Sequence, residues 1–316
     1  MAKILTITLN PAIDVTLQLD ELHVGEVNRQ KHMQSHAAGK GLNVAQVLHD
    51  LGHELIVSGF LGQQNCAVFE QHFQSMQFDN QFVYVAGETR QNIKIAEQSG
   101  RMTDINARGF TVTEANKHAL LQRVEQCCQA VDYVVIAGSL PQGFSLDDFK
   151  ALIALLQQHN KYVAIDSSGQ ALVAAIEMNP WMIKPNTDEL QESFGKSADT
   201  FAEQQALFQN LDHHIEHIVI SMGEHGVNWI NAKTSLHAQP AKVTVKSTVG
   251  AGDSLLAGMV HGVVSQLSPE ETLKMATAIA SHAVTQIGFR VPSSALLADL
   301  IQQTTINSLS KLDANH

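Results

Sequence analysis

The chain is short of cysteine and of positive charge, and it has no long hydrophobic run. Each shortage removes a class of function. Cys66, Cys127 and Cys128 are odd in number, two of them are adjacent and none has metal-ligand spacing, so neither a disulfide framework nor a zinc module is expected. Lys and Arg number 20 against 31 Asp and Glu, a formal charge of −11, and no basic run occurs. That balance argues against nucleic acid or a membrane surface as a main partner. The opening apolar stretch Ile4–Leu9 is too short for a signal segment with its cleavage site, and no later run reaches spanning length, so a cytoplasmic protein is expected. Two nucleotide-binding signatures are also missing: no strand-turn-helix carries Gly-x-Gly-x-x-Gly, and there is no Walker A run.

What is present suffices for a full core. The 316 residues are 44% hydrophobic, and no low-complexity linker, repeat or composition break divides them, so a single domain over 1–316 is expected. Apolar runs at Ile4–Leu9, Leu55–Phe60, Tyr133–Ala137, Tyr162–Asp166, Trp181–Lys184 and Ile218–Ser221 read as buried strands, and the segments between them carry helical spacing. Strands alternating with helices imply a mostly parallel sheet covered on both faces. Val227–Ile230, Leu236–Ala238 and Val243–Val245 read as an antiparallel edge, and Ser268-Pro269-Glu270-Glu271 opens a helix to about Ile287. Alternating residues around Val15, Leu17 and Leu19 and around Ile93 and Ile95 suggest two strands pairing as a hairpin in a small lid formed by about 12–36 and 88–107.

The most informative stretch is Ser247-Thr248-Val249-Gly250-Ala251-Gly252-Asp253-Ser254, which turns from alternating residues into a helical pattern. Small residues admit a ligand to the backbone, and free N–H groups at a helix start attract an anion. A carboxylate beside such an anion is useful as a general base toward a hydroxyl attacking a phosphoryl group, which gives Asp253 its candidate role; an ordinary N-cap is the plain alternative. Ligands of doubly wound sheets bind beyond the carboxyl ends of strands, which draws attention to Asp14, Ser139, Lys184, Asn186 and Ser221. Asn186-Thr187-Asp188-Glu189 is equally a capping box. His213-His214-Ile215-Glu216-His217 formally matches a zinc protease signature, but that signature needs a helix, and here it abuts a strand.

Gly39-Lys40-Gly41-Leu42-Asn43-Val44-Ala45 and the Gly250-Ala251-Gly252-Asp253 run together resemble the two signatures of the ribokinase-like (PfkB) carbohydrate kinases, in order and at the family's spacings. Asn10-Pro11 with Asp14, Thr89-Arg90, Gly138-Ser139-Leu140-Pro141, Lys184-Pro185-Asn186 and Ser221-Met222-Gly223-Glu224-His225-Gly226 extend the likeness over the chain, closest to the phosphosugar branch. The resemblance implies a three-layer α/β/α fold with a small β lid, and transfer of phosphate from ATP with Mg²⁺ to a sugar phosphate. It implies Asp253 as base, Gly250, Ala251 and Gly252 as anion hole, and Asp14, Gly39 and Asn43 on sugar hydroxyls. Lys40, Arg90 and Ser139 would lie near the sugar phosphate. Lys184, Asn186, Ser221, Gly223, Gly226 and Thr248 would lie around the nucleotide, with Glu189 on the metal, directly or through water. Paired lids in a homodimer are implied as well. Ser247 stands where many members carry an Asp that helps bind a monovalent cation, which argues against activation by potassium. A silent sugar-phosphate sensor is the rival class; the intact Asp253 speaks against it, since a pure binder gains nothing from a carboxylate beside an anion.

Overall fold

The structure, a computed structural model, describes residues 1–211, 214–231, 233–286, 288 and 290–309. β1 (Lys3–Thr8) runs through the larger sheet. β2 (Ala12–Leu19) and β3 (His32–Ala38) leave that sheet, and α1 (Lys40–Asp50), β4 (Glu54–Gly62), α2 (Ala67–Met76) and β5 (Asp79–Val85) complete one edge. β6 (Arg90–Glu97) and β7 (Met102–Asn106) join β2 and β3 in a second sheet. The chain then alternates through α3 (Glu114–Cys127), β8 (Tyr133–Ala137), α4 (Leu146–Gln158), β9 (Tyr162–Asp166), α5 (Gly169–Glu177) and β10 (Met182–Ile183). α6 (Thr187–Phe194), α7 (Phe201–Gln209), β11 (His217–Ser221), β12 (Val227–Ile230) and β13 (Ser235–Gln239) follow, and α8 (Ala251–Val264), α9 (Pro269–Ala283), α10 (Ser294–Gln303) and β14 (Thr305–Ser308) close the described chain.

The ten-stranded sheet has the order β14-β13-β12-β11-β10-β9-β8-β1-β4-β5, parallel from β11 to β5 and antiparallel beyond β11. Both faces are covered, which is why the parallel strands read as unbroken apolar runs. On one face Ile4, Leu55, Val57 and Val135 meet Leu42 and Leu48 of α1, Phe69 and Phe73 of α2, and Leu256, Met259 and Leu273 of α8 and α9. On the other, Leu5, Ile7, Val134 and Ile136 meet Leu120 and Val124 of α3 and Leu152 and Leu156 of α4. Ile183, Ile218 and Ile220 meet Leu190 of α6 and Leu207 of α7 on a third cluster. Full burial of such side chains contributes about 1.5–3 kcal/mol each. The first face thus locks α1 and α8, side by side, against the middle of the sheet.

Three expectations change. Val243–Val245 is not a strand: Val245 is exposed, and among the described residues the backbone bonds nearby run from Lys246 and Ser247 N–H to Val284 O. Alternation without a neighbouring ladder is not a strand, and the third antiparallel partner is β14 against β13. α9 ends at Ala283, and Ile287 lies outside the described residues. β2 and β6 pair in parallel, not as a hairpin. Both leave the carboxyl edge of one parallel sheet, β2 after β1 and β6 after β5, and so run the same way. The hairpins are β2–β3 and β6–β7.

In the four-stranded sheet β3-β2-β6-β7, the register puts His36, Asp14, Arg90, Asn92 and Lys94 on one face and Ile13, Val15, Leu17, Ile93, Ile95 and Ile105 on the other. At the far, amino end of the large sheet's strands, Tyr133 stacks on Tyr162 with ring centroids 5.1 Å apart, Trp181 meets both edge-on, and His217 lies between Trp181 and Trp229. His217 belongs to a strand, as the zinc-signature argument requires, while His213 of that signature lies outside the described residues. No helix among the described residues is long and apolar enough to cross a membrane.

Candidate active site

α1 and α8 start at the same place because each is preceded by a glycine that only glycine's freedom allows. Gly250 caps α8 with φ 83°, so Asp253 is not the N-cap but the third helical residue. Gly39 has φ 140°, and a Cβ at Gly41 would lie 2.4 Å from Thr8 Oγ1 and 2.8 Å from Ile7 O. Gly41 therefore lets α1 press directly on β1. The result is that Asn43 Nδ2 donates to Asp253 Oδ2 at 2.7 Å, with both side chains buried. Burial, and then the neighbouring charge of Asp166, push the Asp253 carboxyl up to about 6. The N–H groups that open α8 face the carboxyl edge of the sheet beside this carboxylate, an arrangement suited to an anion.

Beneath the turn lies a charge cluster that sequence reading caught only in part. Asp166, the last residue of β9, has a wholly buried side chain. Lys40 Nζ stands 3.2 Å from its Oδ1 and Lys184 Nζ 3.4 Å from its Oδ2. Burial works against the charged carboxylate, but the two ammoniums outweigh it and hold Asp166 below the ordinary carboxylate range. Lys40 also reaches Glu189 Oε1 at 3.5 Å; despite burial, Asp166, Asp253 and Glu189 hold its proton more firmly than usual. A Cβ at Gly252 would lie 3.2 Å from Lys184 Nζ, so that ammonium approaches the turn itself. Asn186 and Glu189 form the reciprocal capping box of α6: Glu189 N–H donates to Asn186 Oδ1 at 2.7 Å, and Asn186 N–H to Glu189 Oε2 at 2.9 Å. The cap uses one oxygen of Glu189 and leaves the other turned to Lys40. Asp166 is not among the candidate site residues of the sequence, although Tyr162–Asp166 reads as a strand; its place at that strand's carboxyl end is the signal that could have found it.

A second group sits on the polar face of the small sheet. Asp14 is buried and accepts from Lys94 Nζ at 2.8 Å and Asn92 Nδ2 at 3.1 Å, two partners the sequence did not suggest. Arg90 donates to the carbonyls of Pro11 at 3.3 Å, Asn10 at 3.2 Å and Ala107 at 3.4 Å. Three of its five N–H groups are thus used in fastening the loop after β1 to the loop after β7. Arg90 is a structural clamp first, with one N–H left on each terminal nitrogen. Asn10 Nδ2 also donates to Ser139 Oγ at 3.1 Å. Gly39 joins this group to the first: a Cβ there would lie 3.2 Å from Pro11 Cα.

The third group is the loop after β11. Ser221 bridges Asn186, Met222 N–H donates to Gly226 O at 2.8 Å, and Gly223 and Gly226 take φ 58° and 95°. A Cβ at Gly226 would lie 2.1 Å from Ala238 O, so this turn needs glycine for space as well as for φ. Thr248 O accepts from Ala251 N–H at 3.4 Å, closing the turn into α8. The three groups open on the carboxyl edge of one sheet, where such folds take ligands.

Comparisons with known proteins agree in direction. A family model described as pfkB family carbohydrate kinase matches residues 2–296. The chain is 44% identical over 308 residues to 1-phosphofructokinase of Vibrio cholerae serotype O1, covering 97% of both chains. It is 39% identical over 305 residues to 1-phosphofructokinase of Escherichia coli K12, covering 96% of this chain and 98% of that one. A solved structure from Thermotoga maritima, described as a possible 1-phosphofructokinase, superposes with a TM-score of 0.86 at 25% identity, covering 97% of this chain and 99% of that one.

Proposed function

Since the chain belongs to the pfkB family of carbohydrate kinases and is a phosphotransferase acting on sugar phosphates with ATP, we propose that it converts fructose 1-phosphate to fructose 1,6-bisphosphate. The observation that carries the mechanism is Asp253: a buried carboxylate fixed by Asn43, next to the Gly250-Ala251-Gly252 turn, with its proton affinity raised to about 6. Asp253 takes the proton of the sugar's free primary hydroxyl as that oxygen bonds to the terminal phosphorus of ATP, and the bond to the departing ADP oxygen breaks. The N–H groups of the turn and the Lys184 ammonium receive the charge of the transferring group. Asp14, Gly39 and Asn43 hold sugar hydroxyls, and Lys40, Arg90 and Ser139 face the sugar phosphate. Lys184, Asn186, Ser221, Gly223, Gly226 and Thr248 line the nucleotide.

Glu189 and Asp166 fit a magnesium ion: both offer hard oxygen, Glu189 Oε1 is not used by the helix cap, and the wholly buried Asp166 Oδ2 is held by the Lys184 ion pair at 3.4 Å with no further hydrogen bond. Magnesium takes one or two carboxylates and completes its shell with water and phosphate oxygens, so the lack of a three-residue His, Cys, Asp or Glu cluster among the described residues is no obstacle. When bound, it would neutralise charge on the phosphates. The small sheet serves as a lid and as the contact of a homodimer. Its apolar face and adjoining loop leave Met33, Ile105, Val24 and Val27 exposed.

Turnover with ATP over a panel of fructose 1-phosphate, fructose 6-phosphate, tagatose 6-phosphate and fructose tests the reading. Fructose 1-phosphate should give the highest kcat/KM and unphosphorylated fructose the lowest. A preference for fructose 6-phosphate or tagatose 6-phosphate would keep the chemistry and change the substrate. Absence of turnover on all four would leave the sensor reading.

A further inference from the structure

We propose that Lys40 is an exchangeable counter-ion: it occupies Glu189 in the free protein and leaves for a phosphate dianion, so that anion and divalent cation bind cooperatively. The inference rests on the site being that of a magnesium-dependent kinase. Two lysines share the Asp166 carboxylate and differ in exposure. The Lys184 side chain is 3% exposed and lies against the Gly252 backbone, whereas that of Lys40 is 39% exposed. Lys184 is a fixed partner of Asp166; Lys40 is the one that can move.

Its departure has unequal consequences for the two acids it touches. Asp166 keeps Lys184 at 3.4 Å and stays paired. Glu189 Oε1, paired with Lys40 at 3.5 Å, loses that ammonium while Oε2 stays committed to the helix cap. A divalent ion on Oε1 while Lys40 remains would set two cations side by side. The same ion after Lys40 has moved restores the charge that was lost. Because such coupling is reciprocal, whatever draws Lys40 away tightens the metal, and the metal in turn frees Lys40 for the anion.

The test is binding rather than turnover, with Mn²⁺ as the metal probe, followed by the electron paramagnetic resonance signal of the free ion, and sulfate as the dianion probe. Without sulfate, Lys40→Met should bind Mn²⁺ at least about tenfold more tightly than the unmodified protein, equivalent to about 1.4 kcal/mol. Sulfate should tighten Mn²⁺ binding to the unmodified protein and leave Lys40→Met unchanged. Glu189→Gln, which retains a capping side chain, should abolish the sulfate effect. Equal Mn²⁺ affinity in the unmodified and Lys40→Met proteins, or an equal sulfate effect in both, overturns the exchange. Lys40→Gln is the substitute variant should Lys40→Met fail to fold. An enzyme that turns over fructose 1-phosphate yet binds Mn²⁺ independently of Lys40 retires the exchange alone; a protein that exchanges but turns over none of the sugars retires only the kinase reading.

Discussion

Asp253 is a carboxyl group kept where its charged form is disfavoured, and this has opposite effects on activity and stability. Its proton affinity rises from 3.8 in the ordinary case to about 6 in the fold. As a base it must be ionised, so kcat/KM should climb as pH rises through about 6 and level off near neutrality, a profile read from initial rates across pH 5–8. Between 3.8 and about 6 the folded protein binds the extra proton, so Asp253 makes the fold less stable as pH rises through that window, and the deficit persists above it. Asp253→Asn should therefore lower kcat by about 10²–10⁴. It should also raise stability at pH 7.5 by roughly 3 kcal/mol, a gain that fades by about pH 4. Denaturant titrations at the two pH values check the stability arm. Turnover within a few-fold of the unmodified enzyme would remove Asp253 from the mechanism.

The elements decide which residues could be read in advance. Strands buried on both faces, such as Tyr133–Ala137 and Tyr162–Asp166, were legible to the residue, because covered parallel strands need unbroken apolar runs. The capping boxes at Asn186 and Ser268 were legible because the cap is a local bond between residues three apart. β3 and β7 were not, since exposed residues such as His32, Gln34, Asp104 and Asn106 carry little apolar signal. The parallel pairing of β2 with β6 depends on where both leave the larger sheet, which no local pattern encodes. Among site residues, Asp253, Lys40 and Asn43 lay in recognisable runs. Lys94 and Asn92 act on Asp14, about 80 residues away in sequence, and Asp166 pairs with Lys40, farther still, as well as with the nearer Lys184. One residue tests an element directly. Gly41→Ala would drive a Cβ into Thr8 Oγ1 and Ile7 O, and backbone of a central strand cannot yield. A loss of about 1–3 kcal/mol is expected, read as a lowered Tm; an unchanged Tm would mean that α1 has freedom to lift off β1.

At the scale of the whole molecule, the small sheet has an apolar face with exposed Met33 and Ile105, more than a thin sheet covers by itself. Light scattering at micromolar concentration should give a dimer, and Ile105→Lys should shift it toward monomer; an active monomeric parent would exclude the contact. The chain's only two tryptophans, Trp181 and Trp229, both belong to the aromatic row at the amino end of the strands, whereas the candidate site lies beyond the carboxyl end. Nature has in effect placed the fluorophores at the wrong pole for a substrate sensor. Emission excited at tryptophan wavelengths should stay unmoved when ATP or sugar phosphate is added and shift when denaturant loosens the row, so the same cuvette can follow unfolding in the presence of saturating ligand without optical interference from binding.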